Sequence, residues 1–263
     1  YSKPESTLEA IALCENLGVE YKIVPIEEFE AIEGGERRKI PALEYVTMAE
    51  AAREKLQGEW AGVMPEKYTR FKEMYGKNPE NNFVYQNAQA IDRMSILRGI
   101  ANEENRLVIG TSNKVELAFG YFTVCGDGQS DLLIIGDWYK QQIYDFAREY
   151  NESKGKEIIP QYIIERPPSA ELEDNQVDPW QYAREDEFVR LRIEEYKTRE
   201  DMLKLNAGNG QSNFTSEEID TYFSSIDINE HKRFRAGYVL KVTPVSFGED
   251  RRINTAKNIQ LVA

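Results

Sequence analysis

Between Leu107 and Lys140 the sequence gathers residue types that bind a charged ligand: Thr111, Glu116, Asp127, Asp131 and Lys140. They fall in two clusters. The first follows the apolar run Leu107-Val108-Ile109, where Gly110 and Thr111 break the run and residues 114–120 are helix-like. The second is Gly126-Asp127-Gly128 with Asp131, which leads into Ile134-Ile135-Gly136 and a helix expected from near Asp137. A short continuous apolar run fits a strand buried on both faces. In open α/β sheets, ligands bind beyond the carboxyl ends of such strands, where loop amides and helix N-termini converge. A hydroxyl, carboxylates and a lysine at two strand ends suit an anionic ligand carried with a hard cation, because magnesium takes oxygen ligands.

The elements that must hold these groups can be read outward from them. A helix is expected over 87–102, and an amphipathic one over 139–150 through Ile143, Phe146 and Ala147. Upstream, Leu8, Ile11, Ala12 and Leu17 recur near helical spacing, with Ser6 as a cap and Gly18 as a stop, before a strand-like stretch at 21–26. Residues 31–80 carry helix formers at 45–56 and 65–74. Residues 151–157 read as a loose polar connection. Two helices are expected across 183–225 around a polar break at 206–213, and Thr215 with Glu218 fits a capping box.

Composition bounds the function. A chain of 263 residues has ample core, and its net charge of −13 argues against nucleic acid and against an anionic membrane surface, which both call for a basic face. No apolar run approaches about 18 residues, so neither secretion nor a membrane span is indicated and a cytoplasmic location is expected. Two distant cysteines and a single histidine argue against a thiolate or imidazole zinc site.

Several motifs in order carry a resemblance. Gly110-Thr111-Ser112-Asn113-Lys114-x-Glu116, Gly120-Tyr121-Phe122-Thr123, Gly126-Asp127-Gly128-x-x-Asp131-Leu132 and Ile135-Gly136-Asp137-x-Tyr139-Lys140 resemble the NAD synthetase family of ATP pyrophosphatases. Asn87, Ala90, Arg93 and Met94 are similar to its Asn-x-x-Ala-Arg-x-Arg-Met helix, with Ile91 where the first arginine would stand. Pro167-Pro168-Ser169-Ala170-x-Leu172, then Gln176 and Asp178, resemble its active-site lid, and His231-Lys232 its C-terminal pair. Val124 stands where the ammonia-dependent branch often has a lysine. Residues 240–243 and 247–252 are similar to the tail of the glutamine-dependent branch. No family motif falls in 31–80. The family's Ser-Gly-Gly-x-Asp-Ser phosphate loop has no counterpart in the chain and is expected upstream of Tyr1.

The resemblance implies an α/β, Rossmann-like adenine nucleotide alpha-hydrolase fold: one domain over 1–263, a mostly parallel sheet flanked by helices, incomplete at the N-terminus, with a helical insertion at 31–80. It implies ATP-dependent amidation of deamido-NAD to NAD through an acyl-adenylate, with ammonia or glutamine as nitrogen donor. Implied roles are ATP binding for Thr111, Lys140 and Ser169, deamido-NAD binding for Asn87, Asp131, His231 and Lys232, and Mg2+ binding for Glu116. No residue is expected as a covalent nucleophile, since positioning and electrostatics suffice. The family also implies a homodimer and, in one branch, a glutaminase domain or partner. Two rival readings stay open at this point: another amidating ATP pyrophosphatase, and a non-catalytic nucleotide-binding or assembly protein derived from the fold. Thr111, Glu116, Asp131 and Lys140 are expected to line one cradle.

Overall fold

The computed structural model describes residues 4–22, 24, 29–33, 36–40, 83–172, 176–207 and 214–251. It begins with α1 (Pro4–Leu17), β1 (Phe29–Glu33) and β2 (Glu36–Ile40), followed by α2 (Phe83–Glu103), β3 (Ile109–Gly110), α3 (Lys114–Phe119) and β4 (Leu132–Leu133). Then come α4 (Lys140–Lys154), α5 (Gln161–Glu165), α6 (Tyr182–Val189), α7 (Arg199–Ala207), α8 (Ser216–Ile228), α9 (Glu230–Arg233) and β5 (Tyr238–Val239). The chain divides into two compact units, Tyr1–Gln89 with Asp145–Pro179 and Ala90–Tyr144 with Trp180–Ala263.

In the first unit α1 opens on Pro4, whose fixed φ suits a first helical turn. Ser6 therefore lies inside the helix instead of capping it. Its hydroxyl donates to Glu171 and accepts from Arg166. Gly18 ends α1 in the left-handed region at φ +66°, as a stop residue should. β1 and β2 form an antiparallel hairpin, from Phe29 opposite Ile40 to Glu33 opposite Glu36. The helices expected at 45–56 and 65–74 lie outside the described residues. Of the strand-like stretch 21–26, the described Tyr21, Lys22 and Val24 are in no strand. Residues 151–157 are not the loose connection expected. α4 continues to Lys154, and the Asn151 side chain accepts from the amides of Ile158 and Ile159 at 2.9 Å each. One side-chain amide thus replaces the backbone ladder where the helix stops.

The second unit holds a parallel sheet in the order β3-β4-β5, with Ile109 opposite Leu132 and Leu132 opposite Tyr238. The run 107–109 is not buried on both faces. Val108 packs with Met94 and Ala101, but Leu107 and Ile109 are 68% and 45% exposed. β3 is the edge of the described sheet, and strand side chains alternate, so only the inward residue finds a covering helix. Gly110 is required by close packing: a Cβ there would stand 2.2 Å from Ser130 Oγ. α3 sits behind this sheet with Lys114, Val115, Leu117, Ala118 and Phe119 all buried. Leu133, Phe188, Ile219 and Ile226 belong to the same core. Across 183–225 there are three helical elements where two were expected: α6 with a π-turn at Arg190–Glu194, then α7, then α8. The capping box is present. Thr215 Oγ1 accepts from Glu218 N at 3.1 Å, and the Glu218 carboxylate accepts from Thr215 N at 2.7 Å.

Candidate nucleotide-binding site

The first motif folds as a helix entry. Asn113 caps α3, its Oδ1 accepting from Val115 N at 2.9 Å and Glu116 N at 3.1 Å, while Glu116 Oε2 accepts from Asn113 N at 3.0 Å. This reciprocal box leaves the Glu116 carboxylate at the carboxyl end of β3. There its Oε1 accepts from Asn113 Nδ2 at 2.6 Å and from the Tyr182 hydroxyl at 3.2 Å, and Lys140 Nζ stands 3.7 Å away. The Lys140 ammonium also lies over the Tyr182 ring, 5.2 Å from its centroid. Thr111 is exposed, directly after β3 and two residues before the cap. Lys140 opens α4, where Asp186 takes the amides of Lys140 and Gln141 at 3.2 and 2.9 Å. Burial pushes the Asp186 carboxyl up to about 6, against the pull of those two amides.

Beneath this surface lies a buried ionic centre. Lys114, the first residue of α3, is fully enclosed. Its ammonium stands 2.9 Å from Asp137 Oδ1 and donates to Glu194 Oε1 at 2.8 Å, to the Val245 carbonyl at 2.7 Å and to the Thr243 hydroxyl. Asp137 in turn accepts from the amides of Val242 and Thr243 at 2.8 and 2.7 Å. Tyr139 donates to Glu194 at 2.5 Å, and burial together with that carboxylate holds its hydroxyl above the usual phenol range. The loops following β4 and β5, the π-turn after α6 and the start of α3 thus meet at one lysine.

The other end of α3 is docked on α9. Arg233 donates to the carbonyls of Leu117 and Ala118 at 3.1 and 2.6 Å. Lys232 Nζ donates to the carbonyls of Gly120 and Phe122 at 2.7 and 3.1 Å, and burial lowers its pKa. The neighbouring His231 is exposed, with Nδ1 2.8 Å from the Ile228 carbonyl.

Asp131 precedes β4 and so lies at the amino ends of the strands, where it accepts from Val108 N at 2.8 Å. It faces Arg98 of α2, whose guanidinium holds its carboxyl below the usual range. An open cavity of about 540 Å³ lies here, lined by Ile91, Met94, Arg98, Cys125, Ser130 and Asp131 among others. Asp131 therefore does not join Thr111, Glu116 and Lys140 in the one cradle expected of the four, because it stands at the opposite ends of the parallel strands. Asp127 starts a 3₁₀ turn and accepts from Thr123 N at 2.9 Å. Although part of the residue reaches the surface, dense packing around its carboxyl raises its pKa, opposed by Lys232 and Arg93.

Asn87 and Ser169 belong to the first unit. Asn87 is exposed on α2, where its near neighbour Gln89 is buried and donates to the Leu172 carbonyl at 3.0 Å. Ser169 Oγ accepts from Glu171 N at 3.0 Å, and Asp178 N donates to the Pro168 carbonyl at 2.9 Å. These bonds lie among the described residues on either side of 173–175.

The NAD synthase family model matches residues 44–236. The chain belongs to the NAD synthase family. It is 31% identical over 256 residues to the glutamine-dependent NAD(+) synthetase of Thermotoga maritima, across 96% of this chain and 37% of that protein. It is 36% identical over 151 residues to the NH(3)-dependent NAD(+) synthetase of Fusobacterium nucleatum, across 56% of this chain and 53% of the relative. The chain thus spans a little over a third of the first relative and about half of the second. A glutamine-dependent NAD(+) synthetase from Cytophaga hutchinsonii has the same fold, at a TM-score of 0.60 and 20% identity, over 97% of this chain and 37% of that one. The adenine nucleotide alpha-hydrolase architecture expected from the motifs, a parallel sheet flanked by helices, is the one observed. The family match also runs through 44–80, which lies outside the described residues and in which no motif was legible.

Within this NAD synthase framework, the motifs contained Lys114 and Asp137 without giving them a role, and passed over Asp186, Tyr182, Arg98 and Arg233. One signal was available for Lys114. A cation at the first position of a helix opposes the helix dipole, so a lysine there needs a compensating partner. The partners themselves are distant in sequence and gave no local sign. Among the described residues, no group of three or more His, Cys, Asp or Glu could hold a metal ion, and no helix is long and apolar enough to cross a membrane.

Proposed function

We propose that this chain is the synthetase portion of an NAD-forming ligase that amidates deamido-NAD. The deamido-NAD carboxylate attacks the α-phosphorus of ATP, a P–O bond forms, and pyrophosphate leaves. Ammonia then attacks the acyl carbon of the adenylate, the C–O bond to AMP breaks, and a proton is shed. A free carboxylate resists amines because its carbon carries resonance-donated charge; the phosphoryl leaving group removes that obstacle.

The observation that carries the reading is the Glu116–Lys140 pair at 3.7 Å, beyond the carboxyl end of a parallel strand in a chain of the NAD synthase family. Lys140 would neutralise ATP phosphates, with the Thr111 and Ser169 hydroxyls as further donors. Asn87, Asp131, His231 and Lys232 would contact deamido-NAD. Glu116 fits Mg2+ as a carboxylate ligand: its oxygens are fixed by Asn113 and Tyr182, and among the described residues it belongs to no group of three or more His, Cys, Asp or Glu. Magnesium with one protein carboxylate typically enters with the nucleotide, and it would supply charge neutralisation between two anions. No covalent nucleophile is assigned. We further propose a cytoplasmic homodimer whose ammonia is supplied free or by a glutaminase domain or partner. The family match disfavours both rival readings of the motifs.

The test is pyrophosphate release by the full-length protein. Release should require deamido-NAD, a nitrogen donor and magnesium together, and comparison of ammonium with glutamine identifies the donor. A folded full-length protein that releases none with all components present ends this reading.

A further inference from the structure

We infer that Tyr182 is a positioning residue for the ATP site: its hydroxyl and ring hold the Glu116–Lys140 pair open, so that the ammonium stays available to phosphate oxygens. The inference rests on the function proposed above and gives a role to a residue that the motifs did not mark.

Tyr182 is the first residue of α6 and is buried, and Trp180 packs edge-on against its ring at 5.7 Å between centroids. The ring is therefore fixed in place. Its hydroxyl donates to Glu116 Oε1 at 3.2 Å, and Asn113 Nδ2 donates to the same oxygen at 2.6 Å. A carboxylate oxygen offers about two lone-pair directions, so these two donors occupy Oε1. The Lys140 ammonium stands 3.7 Å from that oxygen, beyond hydrogen-bond reach. It lies instead over two aromatic rings, 5.2 Å from the centroid of Tyr182 and 5.9 Å from that of Tyr144. One turn further along α6, Asp186 accepts from the amides of Lys140 and Gln141 and so fixes where α4 starts. A single helix face thus sets both the carboxylate and the stem of the lysine.

A lysine and a glutamate this close ordinarily close into a hydrogen-bonded pair. The Lys140 and Glu116 side chains are only 22% and 15% exposed, so water screens their attraction in part. In a closed pair each charge would satisfy the other, and a triphosphate would have to break that contact before taking the ammonium. Neutral donors on Glu116 and aromatic faces under Lys140 prevent this. An ammonium hydrogen bond to phosphate is stronger than a cation–π contact, so the arriving anion displaces the rings without breaking an ion pair. The charges are preorganised, because little has to rearrange when the nucleotide binds.

The test uses the full-length protein and calorimetric titration with MgATP alone, which needs no deamido-NAD. Tyr182→Phe deletes one oxygen and keeps the ring. It should leave the melting temperature within about 3 °C of the parent and weaken MgATP binding by roughly 3- to 10-fold, as Lys140 closes onto Glu116 Oε1. In a Glu116→Gln background the same substitution should weaken MgATP by less than about 2-fold, because the carboxylate that would capture Lys140 is gone. Equal losses in the two backgrounds, no loss in either, a larger fall in melting temperature or failure of Tyr182→Phe to fold overturns the assignment of Tyr182. A parent that binds MgATP yet releases no pyrophosphate with deamido-NAD and ammonium ends the function proposed above, and the titration still judges Tyr182. A parent that binds no MgATP ends both.

Discussion

The ammonium of Lys114 stands 2.9 Å from a carboxylate oxygen of Asp137, and solvent reaches neither side chain. Glu194, only 12% exposed, completes the cluster at 2.8 Å. Charges withdrawn from water this far are tolerated only when paired and hydrogen-bonded throughout, and here every arm of the ammonium has an oxygen. The cluster fixes where α3 begins, and with it the direction of Glu116.

Lys114→Met should therefore destabilise the protein by about 3–5 kcal/mol, because it strands two carboxylates in the core. Urea unfolding of parent and variant measures this directly. A loss under about 1 kcal/mol would mean that the cluster does not hold the fold together.

Glu116→Gln separates the carboxylate's chemistry from its structural part. Glutamine still accepts from the Asn113 amide, so the capping box and the melting temperature should survive. Pyrophosphate release should drop by about 100-fold or more if the charge serves the ATP-borne cation, with a raised magnesium requirement. Unchanged turnover at limiting magnesium would remove Glu116 from the site.

Gly120 ends α3 at φ +67°, and a Cβ there would stand 2.3 Å from the Asn229 side chain. Asn229 Nδ2 meanwhile donates to the Phe119 carbonyl at 2.9 Å. Gly120→Ala should cost on the order of 2 kcal/mol through backbone strain and displacement of Asn229. Because the Gly120 carbonyl also accepts from Lys232, the variant should weaken deamido-NAD binding more than ATP binding. Thermal melting and the two KM values check both parts.

Asp186 makes stability depend on pH in a direction unusual for a carboxylate. Its folded pKa, about 6, lies above the ordinary value of 3.8. The proton is therefore bound more tightly in the folded state. The contribution is fully present below pH 3.8 and is lost as the pH rises through about 6. Asp186→Asn should flatten the stability profile across that window by roughly 1–3 kcal/mol, read from denaturant unfolding at several pH values. Carbon NMR of the Asp186 carboxyl should show a midpoint near 6, and a midpoint below the ordinary value would refute the burial argument.

Several local elements around the candidate site were legible in the sequence. Gly110-Thr111 as a strand end, a helix from 114, the Thr215 capping box and the Gly18 stop all lie where spacing put them. Each depends on a residue and partners within about four positions, the range over which caps and turns act. The ordered motifs added the family, since several coincident strings constrain more than any one of them.

Other features needed the fold. Lys114 meets Glu194 and Thr243 across 80 and 129 residues, and Asp131 meets Arg98 across 33. Nothing local in Leu107-Val108-Ile109 says that this run will enter a strand at the sheet edge with Leu107 and Ile109 exposed. By itself the sequence determined the local entries and exits of its helices, the kind of groups offered at two strand ends, and the family. Tertiary structure alone decided which of those groups are spent in the core and which face a cavity. Burial and ion pairing are set by elements brought together from distant parts of the chain, and no neighbour in sequence encodes that.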